Sequence, residues 1–307
     1  METNKYFISK LKVCMNNVDL APVVIFAYKR PEKLKDLIIS LKNNSEFKNT
    51  KIIFYVDKYK DESEKKNNLE VIGIIKKHCE NLNFEIIHNS QNLGLKNNIL
   101  NGVDKSLNKY SKAIFLEDDL LVSNNFLNYM NKALNIYEKH KHVKHISGYN
   151  LPSFLGKNNS SYFTPYMSCW GWATWSDRWN ENANFSNNLI SNLSKNIRLK
   201  FTIYGLEKDF ESQLIRNQNK EIHTWAIYWF QHIFLSNGFC LNPKKTLVQN
   251  TGDDESSIHG TNTKLYNSRM NDEIITKFPN KVNFLFINKI QVIYFYFYKR
   301  LKKKYKI

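Results

Sequence analysis

The stretch Ala113-Ile114-Phe115-Leu116-Glu117-Asp118-Asp119 decides how this 307-residue chain folds and where its chemistry lies. Its first four residues form a continuous apolar run, which is typical of a strand buried on both faces of a parallel sheet. The run stops at three consecutive acids, so we expect their carboxylates at the carboxyl end of the strand. Ligands of such sheets bind at that end.

The sequence before this stretch alternates strand-like and helix-like segments. Apolar runs predict strands at residues 22–28, 51–56 and 84–88, and apolar residues at helical spacing lie between them. Repeated βα units predict an α/β fold with a mainly parallel sheet flanked by helices. Asp57 follows the second strand directly, so it is expected at the same sheet edge as the acid triplet.

The second half of the chain is less regular and richer in aromatic residues. Helical spacing predicts helices at residues 126–137, 206–218 and 225–236, and Asn237-Gly238 predicts a turn. Neither an internal repeat nor a clear linker is present. We therefore expect an extension over residues 1–20, one catalytic domain over residues 21–265 and a basic aromatic segment over residues 266–307.

Adjacent acids repel one another, and this repulsion raises their pKa values. A hard divalent cation with oxygen ligands relieves the repulsion and can also hold a diphosphate, so the triplet predicts a metal site. The alternative is a solvated acidic turn in which an acid or Ser123 caps the following helix. The position of the triplet at a strand end favours the metal.

Composition limits the functional classes but does not choose among them. Lys and Arg number 45 against 28 Asp and Glu, which gives a net charge of +17. This excess predicts phosphate-rich partners: nucleic acid, anionic membrane surfaces or nucleotides. Cys14, Cys79, Cys169 and Cys240 are too scattered for a C-x-x-C metal site, and we expect them to be reduced.

The chain ends point to a cytoplasmic protein at a membrane surface. Residues 1–20 lack the apolar core of a signal peptide, and no run approaches the ~20 apolar residues that span a bilayer. Residues 290–298 are mostly aliphatic and aromatic, and six basic residues follow them. That order favours peripheral contact with anionic lipid at the inner face of the membrane. A solvated basic end is the alternative.

Four motifs occur in an order that is characteristic. They are Ala27-Tyr28-Lys29-Arg30-Pro31, Asn92-Leu93-Gly94-Leu95, the strand and acid triplet at residues 114–119, and Trp170-Gly171-Trp172-Ala173-Thr174-Trp175. Together they resemble bacterial family-2-like glycosyltransferases of surface-polysaccharide biosynthesis. More distantly, they are similar to the animal N-acetylglucosaminyltransferases that extend N-glycans. The resemblance runs from about residue 22 to about residue 260.

The resemblance implies a GT-A fold, a Rossmann-like nucleotide-diphospho-sugar transferase architecture, with Mn²⁺ or Mg²⁺ as cofactor. It implies inverting transfer of a hexosyl or N-acetylhexosaminyl group from a UDP- or dTDP-type donor to a glycan or lipid-linked acceptor. The acid cluster then matches the family's D-x-D motif, with Asp119 as the metal ligand. Glu117 and Asp118 would contact ribose, sugar or metal-bound water.

The same resemblance implies roles for further residues. Ala27, Tyr28 and Arg30 would line the nucleotide pocket together with Asn92 and Gly94, and Asp57 would meet the base. Trp170, Gly171 and Trp172 look like the glycine loop beside the donor sugar, where glycine allows close backbone approach and indole faces stack on sugar. His259 would complete the metal or diphosphate site. The alternatives are an aromatic core for the tryptophans and a surface loop for His259.

The sequence departs from the family pattern at the catalytic base. Related sequences place an aspartate before the helix-opening tryptophan, whereas this chain has His223 ahead of Trp225. An acceptor hydroxyl needs a carboxylate or imidazole to remove its proton, so the candidates are His223, Glu221, Asp209 and Glu211. A catalytically altered, sugar-binding homologue is the alternative. A nucleic-acid-binding protein or a nucleotidyltransferase is less favoured, because the sequence carries no motif of either class.

Overall fold

A computed structural model describes residues 19–152, 159–180, 193–252 and 268–305. Its first half consists of strands alternating with helices, as the sequence predicts. These elements are β1 (Val23–Ala27), α1 (Pro31–Lys42), β2 (Ile52–Val56), α2 (Glu62–Cys79), β3 (Phe84–His88), α3 (Gly94–Lys109) and β4 (Lys112–Glu117). Every residue of β1 and β2 is buried, which explains their unbroken apolar sequences.

The second half adds shorter strands and the remaining helices. They are β5 (Leu120–Val122), α4 (Phe126–Ile136), β6 (Val143–Ser147), β7 (Ser161–Thr164), β8 (Trp172–Trp175), α5 (Ser176–Asn180), α6 (Lys195–Phe201), α7 (Asp209–Gln218), α8 (Ala226–Leu235), β9 (Phe239–Pro243), β10 (Val248–Asn250) and α9 (Phe286–Tyr305). The helix predicted at residues 206–218 begins only at Asp209. A left-handed turn precedes it, with φ of 50°, 57° and 80° at Ile203, Tyr204 and Gly205.

The central sheet confirms the α/β fold class. Within the described residues its strand order is β3-β2-β1-β4-β8-β6-β9-β7. The strands from β3 to β4 are parallel, while β8 runs antiparallel between β4 and β6. The sheet is therefore parallel where the βα units build it and mixed beyond β4. Parallel pairing of Phe26 with Glu117 and of Ala27 with Val56 aligns the carboxyl ends of three strands.

Two apolar clusters cover the two faces of this sheet. Alternate residues of β1 divide between them: Val23 and Ile25 belong to the cluster under α1, α2 and α4, and Val24 and Phe26 belong to the cluster under α3 and α8. This division follows from the alternation of side chains along a strand. The sheet is thus fixed from both sides, and the site at its edge rests on rigid strands.

The C-terminal helix α9 lies against the second half of the fold. Val292, Phe295 and Tyr296 on its inner face pack with Ile203, and Lys299 forms an ion pair with Glu207. Among the described residues, no helix is both long enough and apolar enough to cross a bilayer. The described cysteines, Cys79, Cys169 and Cys240, carry free thiols.

Candidate functional site

The acid triplet lies where the parallel part of the sheet ends. Glu117 closes β4, and a turn leads into β5, which pairs antiparallel with β10. The carbonyl of Asp119 accepts hydrogen bonds from the backbone N–H and hydroxyl of Thr251, at 2.8 and 2.9 Å. The strand end and the segment that leaves β10 therefore meet at this residue.

The structure overturns the alternative of a solvated helix cap. Asp118 is only 2% exposed, and a strand rather than a helix follows the triplet. The next helix, α4, has Asn125 at its N-cap and no side-chain capping bond, so neither an acid nor Ser123 caps it. Asp118 is therefore buried for a reason other than helix capping.

Arg30 is the cation paired with the triplet. Its guanidinium forms an ion pair with Asp118 and another with Asp119, the latter at 3.0 Å. The backbone N–H of Tyr28 also donates to Asp118, at 3.3 Å. Pro31 opens α1 directly after Arg30, so the chain turns at the end of β1 and holds the arginine over β4.

The triplet carries more negative charge than Arg30 neutralises. Removal from water and the neighbouring carboxylates raise the pKa of Glu117 to about 8, while Arg30 opposes the rise. Burial raises the pKa of Asp118 to about 6 despite the arginine. Asp119 Oδ1 is buried without a hydrogen-bond partner. When all three acids are ionised, one arginine leaves two negative charges, and the raised pKa values show that the ionised state needs a further cation.

These residues fit a divalent cation of the magnesium type. In the described ranges, no three His, Cys, Asp or Glu side chains converge as a full ligand set. Mg²⁺ is usually held by one or two carboxylates together with substrate phosphates rather than by a protein cage. The unpartnered oxygen of Asp119 and the neighbouring carboxylate of Glu117 supply such a partial set. The predicted ligand His259 lies outside the described residues.

Asp57 organises the neighbouring loop. Its carboxylate accepts hydrogen bonds from the backbone N–H groups of Leu93 and Gly94, both at 2.9 Å, and from the side chain of Asn89 at 3.0 Å. The two backbone donors lie at the start of α3, where the helix dipole also favours a carboxylate. The side chain of Asn92 donates to the carbonyl of Lys58. The structure thus brings Asp57 and the Asn92–Gly94 turn together, with both Asp57 oxygens engaged by the protein.

Two further residues, Asn68 and Glu64, connect Asp57 with the end of β1. Asn68 on α2 donates to the carbonyls of both Tyr28 and Asp57, at 2.7 Å each. Glu64 accepts from the Tyr28 hydroxyl and from Lys29. Those hydrogen bonds lower the pKa of Glu64 to about 2. Sequence reasoning missed both residues, and the one available signal was a polar residue on the inner face of a predicted helix.

The tryptophans of the glycine loop separate into two groups. Trp172 is 2% exposed and packs between Phe115 and Trp225, so it belongs to the core, as does Trp175. Trp170 is partly exposed and meets Tyr149 edge to face. Gly171 has a φ of +63°, and a Cβ there would lie 2.9 Å from Val248. The aromatic-core alternative therefore holds for Trp172, and Trp170 is the residue of the motif that faces a cavity.

A buried histidine, which sequence reasoning also missed, supports this loop. His145 on β6 accepts a hydrogen bond from the indole N–H of Trp229, at 3.2 Å. Its other ring nitrogen therefore carries the proton and donates to the carbonyl of Ser168, at 3.0 Å. Burial lowers the pKa of His145 to about 3, so the ring is neutral.

The four candidate bases have different surroundings on and after α7. Glu211 forms an ion pair with Arg198, and Glu221 lies 3.5 Å from Arg216. His223 is exposed. Asp209 accepts a hydrogen bond from Gln213, at 2.6 Å. Of the four, Asp209 is the one bonded to a residue that lines the cavity facing Trp170.

Comparison with known proteins decides the family. The model of glycosyl transferase family 2 matches residues 23–189, slightly more than half of the chain. The chain belongs to this family. The matched region contains β1, Arg30, the acid triplet and the glycine loop. The resemblance seen in the sequence is thereby confirmed at the level of the family, and the fold is that of the GT-A glycosyltransferases.

Several solved structures are similar to this glycosyltransferase. TarS 1-349 of S. aureus, in complex with UDP, is 16% identical over 75% of this chain and 60% of its own, with a TM-score of 0.40. The bifunctional glycosyltransferase WbbM is 11% identical over 76% of this chain and 46% of its own, with a TM-score of 0.34. The galactosyltransferase LgtC, in complex with donor and acceptor sugar analogues, is 13% identical over 69% of this chain and 70% of its own, with a TM-score of 0.34. The chain thus spans less than two thirds of TarS 1-349 and WbbM. No protein of curated function matches it.

Proposed function

We propose that this family 2 glycosyltransferase transfers a sugar from a UDP- or dTDP-type donor, with its acid triplet as the donor site. The observation that carries the proposal is the triplet itself. Three acids lie at the carboxyl end of β4 with a single arginine, and Asp119 Oδ1 is buried without a partner. A divalent cation with a diphosphate completes such a set.

The nucleotide lies, in this proposal, along the edge formed by the ends of β1 and β2. Ala27 and Tyr28 form the floor of the nucleotide pocket. The Asn92–Gly94 turn, which Asp57 holds in place, forms one side of it. Arg30 offers a guanidinium to the diphosphate once metal neutralises the acids. Trp170 and Gly171 lie beside the donor sugar, whereas Trp172 supports them from the core.

In this proposal Asp119 and Glu117 hold the metal, and His259 is a further ligand. Asp118 takes part in the site by binding Arg30. When bound, Mn²⁺ or Mg²⁺ supplies positive charge that stabilises the departing diphosphate. Arg30 adds a second positive charge at the same place. The buried position of the acids strengthens both effects, because electrostatic interactions are larger away from water.

The transfer step is a single displacement with inversion in this proposal. The acceptor oxygen forms a bond to the anomeric carbon, and the bond from that carbon to the diphosphate oxygen breaks. The nucleoside diphosphate leaves with the electron pair, and the proton of the acceptor hydroxyl passes to a base. We assign the base to Asp209, because Gln213 links it to the cavity beside Trp170. Glu211, Glu221 and His223 are the other candidate bases, and substitutions at these positions serve as comparisons for a substitution at Asp209.

A surface-polysaccharide role with a membrane-carried acceptor forms a further part of the proposal. On α9, an exposed apolar stripe repeats at helical spacing, and Phe286 is 75% exposed. The stripe comprises Phe286, Ile290, Tyr294, Phe297 and Leu301. Arg300 and Lys302 flank Leu301 at the end of this stripe on the same helix. Apolar side chains beside basic ones suit an anionic lipid surface. The domain bounds proposed with it are residues 21–265 for catalysis and 266–307 for this contact.

The test is a panel of UDP- and dTDP-sugars whose binding, transfer and hydrolysis are measured with and without Mn²⁺ or Mg²⁺. Metal-stimulated release of nucleotide from one donor class, lost in Asp119→Asn, supports the proposal. Donor binding without turnover on any acceptor would instead favour a catalytically altered homologue, which the exposed His223 in place of the family's acid also favours. Absence of donor binding in every arm would refute both.

A further inference from the structure

A pocket of about 220 Å³ lies beside the glycine loop and is lined by residues of the second half of the fold, from Tyr149 to Tyr296. The segment at residues 166–170 forms one wall. Helices α7 and α8 form another, β7 and β9 the floor, and α9 the remaining side. At this volume the pocket has room for about one sugar ring.

The wall at residues 168–170 separates this pocket from the acid triplet. Gly171 lies against the strand that carries the triplet, because a Cβ on it would be 3.2 Å from Leu116. Ser168, Cys169 and Trp170 line the pocket and lead directly into Gly171, so one loop segment lies between the pocket and the end of β4. A ligand in the pocket is therefore a close neighbour of the proposed donor sugar.

The chemistry of the lining selects an uncharged ligand. No Asp, Glu, Lys, Arg or His is among the described residues that line the pocket. Aromatic faces are supplied by Tyr149, Tyr166, Trp170, Phe210, Phe230 and Tyr296. Amide and hydroxyl groups lie between them. Aromatic surface with a few neutral polar groups is the combination that binds the C–H faces and hydroxyls of a sugar.

Several of the polar groups have hydrogen-bonding capacity left over. Gln213 uses its amide NH₂ on Asp209, and no described residue donates to its side-chain oxygen. Asn242 donates to the carbonyl of Cys240 and likewise keeps its oxygen. Ser168 accepts from the N–H of Trp170, and its own proton has no acceptor among the described residues. Two acceptors and one donor therefore remain for the hydroxyls of a ligand.

We propose that this pocket binds a neutral sugar unit of the acceptor, with the inner face of α9 as one of its walls. The proposal rests on the proposed function, since it supplies the acceptor half of the same reaction. It also gives α9 two faces with different tasks. Tyr296 and Val292 face the acceptor, while the exposed stripe faces outward.

The experiment uses the full chain and saturation-transfer NMR, with Mg²⁺ and UDP present. The probes are the methyl glycosides of glucose, galactose and N-acetylglucosamine, and hexanol represents a lipid chain. The variant is Gln213→Leu. The matched control is Gln218→Leu, which makes the same change on the exposed side of the same helix. Binding of UDP is measured separately by calorimetry in every protein.

We expect at least one glycoside to show saturation transfer from the wild type. The affinity for that glycoside should fall by up to about tenfold in Gln213→Leu, since one hydrogen bond is lost, but should not fall in Gln218→Leu. The proposal is overturned if no glycoside binds, if hexanol binds and the glycosides do not, or if Gln213→Leu binds the glycosides as the wild type does. Glycoside failure with intact UDP binding refutes this inference alone. Failure of UDP binding alone refutes the donor site.

Discussion

Replacing Arg30 with methionine removes the cation that Asp118 and Asp119 share, while it keeps most of the apolar stem. Breaking a buried ion pair costs roughly 3–5 kcal/mol, because a charge stays behind without a partner. The Arg30 side chain is 26% exposed, so solvent screens part of this interaction. We therefore expect Arg30→Met to lower the free energy of unfolding by about 2–3 kcal/mol at about pH 8.

The loss should shrink as the pH falls. The pKa of Glu117 is raised from 4.5 to about 8 and that of Asp118 from 3.8 to about 6. Stability linked to a raised pKa is full below the unfolded value and is lost as the pH rises through the folded value. The metal-free wild type should thus lose stability between about pH 4 and pH 8, and Arg30→Met should lose it more steeply. At about pH 5 the variant's deficit should be about 1 kcal/mol.

Urea denaturation at the two pH values, with and without millimolar Mg²⁺, measures these differences. Added Mg²⁺ should restore part of the stability of Arg30→Met, since the cation replaces the lost charge. Arg216→Met is the matched control, because Arg216 is 47% exposed and pairs with Glu221 at 3.5 Å. It should cost at most about 1 kcal/mol. A deficit for Arg30→Met no larger than this, at both pH values, would refute the charge account.

Three other predictions concern the glycine loop, its support and the helix α9. Gly171→Ala should lower the free energy of unfolding, measured in urea, by about 1–3 kcal/mol, because the φ of Gly171 is +63° and the new methyl group meets Val248. An unchanged free energy of unfolding would contradict the close approach of Gly171 to Val248. His145→Gln should be less stable than the wild type near neutrality, and the gap should narrow as the pH falls from 6.5 towards 3, because the lowered pKa of His145 makes its contribution vanish there; a gap that widens in acid would contradict the neutral ring. Tyr294→Ser with Phe297→Ser should weaken sedimentation with anionic phosphatidylglycerol vesicles about tenfold, while Leu69→Ser, equally exposed on α2, should not. Equal binding by all three proteins would remove the membrane contact.

The sequence predicted the βα half of the fold because the signals there are local. Continuous apolar runs marked β1, β2 and β4, since each strand is buried on both faces. The same reasoning placed Asp57 and the triplet at one edge. The mixed half was harder, because β8 inserts antiparallel between β4 and β6 from far along the chain. Pairing of that kind leaves no local pattern.

The contacts of the site could not be derived from the sequence. Arg30 and Asp119 are separated by 89 positions, and their ion pair depends on where α1 begins over β4. The hydrogen bonds that Asp57 accepts come largely from backbone N–H groups. Every residue except proline carries such a group, so these bonds have no sequence signature. Among the tryptophans, burial of Trp172 and partial exposure of Trp170 follow from packing that composition does not reveal.

The central claim is that a divalent metal and a nucleotide-sugar diphosphate bind together at Glu117–Asp119. Calorimetric titration of UDP into the wild type and Asp119→Asn, with and without Mg²⁺, tests it most directly. The account predicts that Mg²⁺ tightens UDP binding in the wild type by tenfold or more, a free-energy gain of at least about 1.4 kcal/mol. It also predicts that Asp119→Asn melts as a folded protein but loses that gain. Metal-enhanced UDP binding that is unchanged in Asp119→Asn would contradict the account.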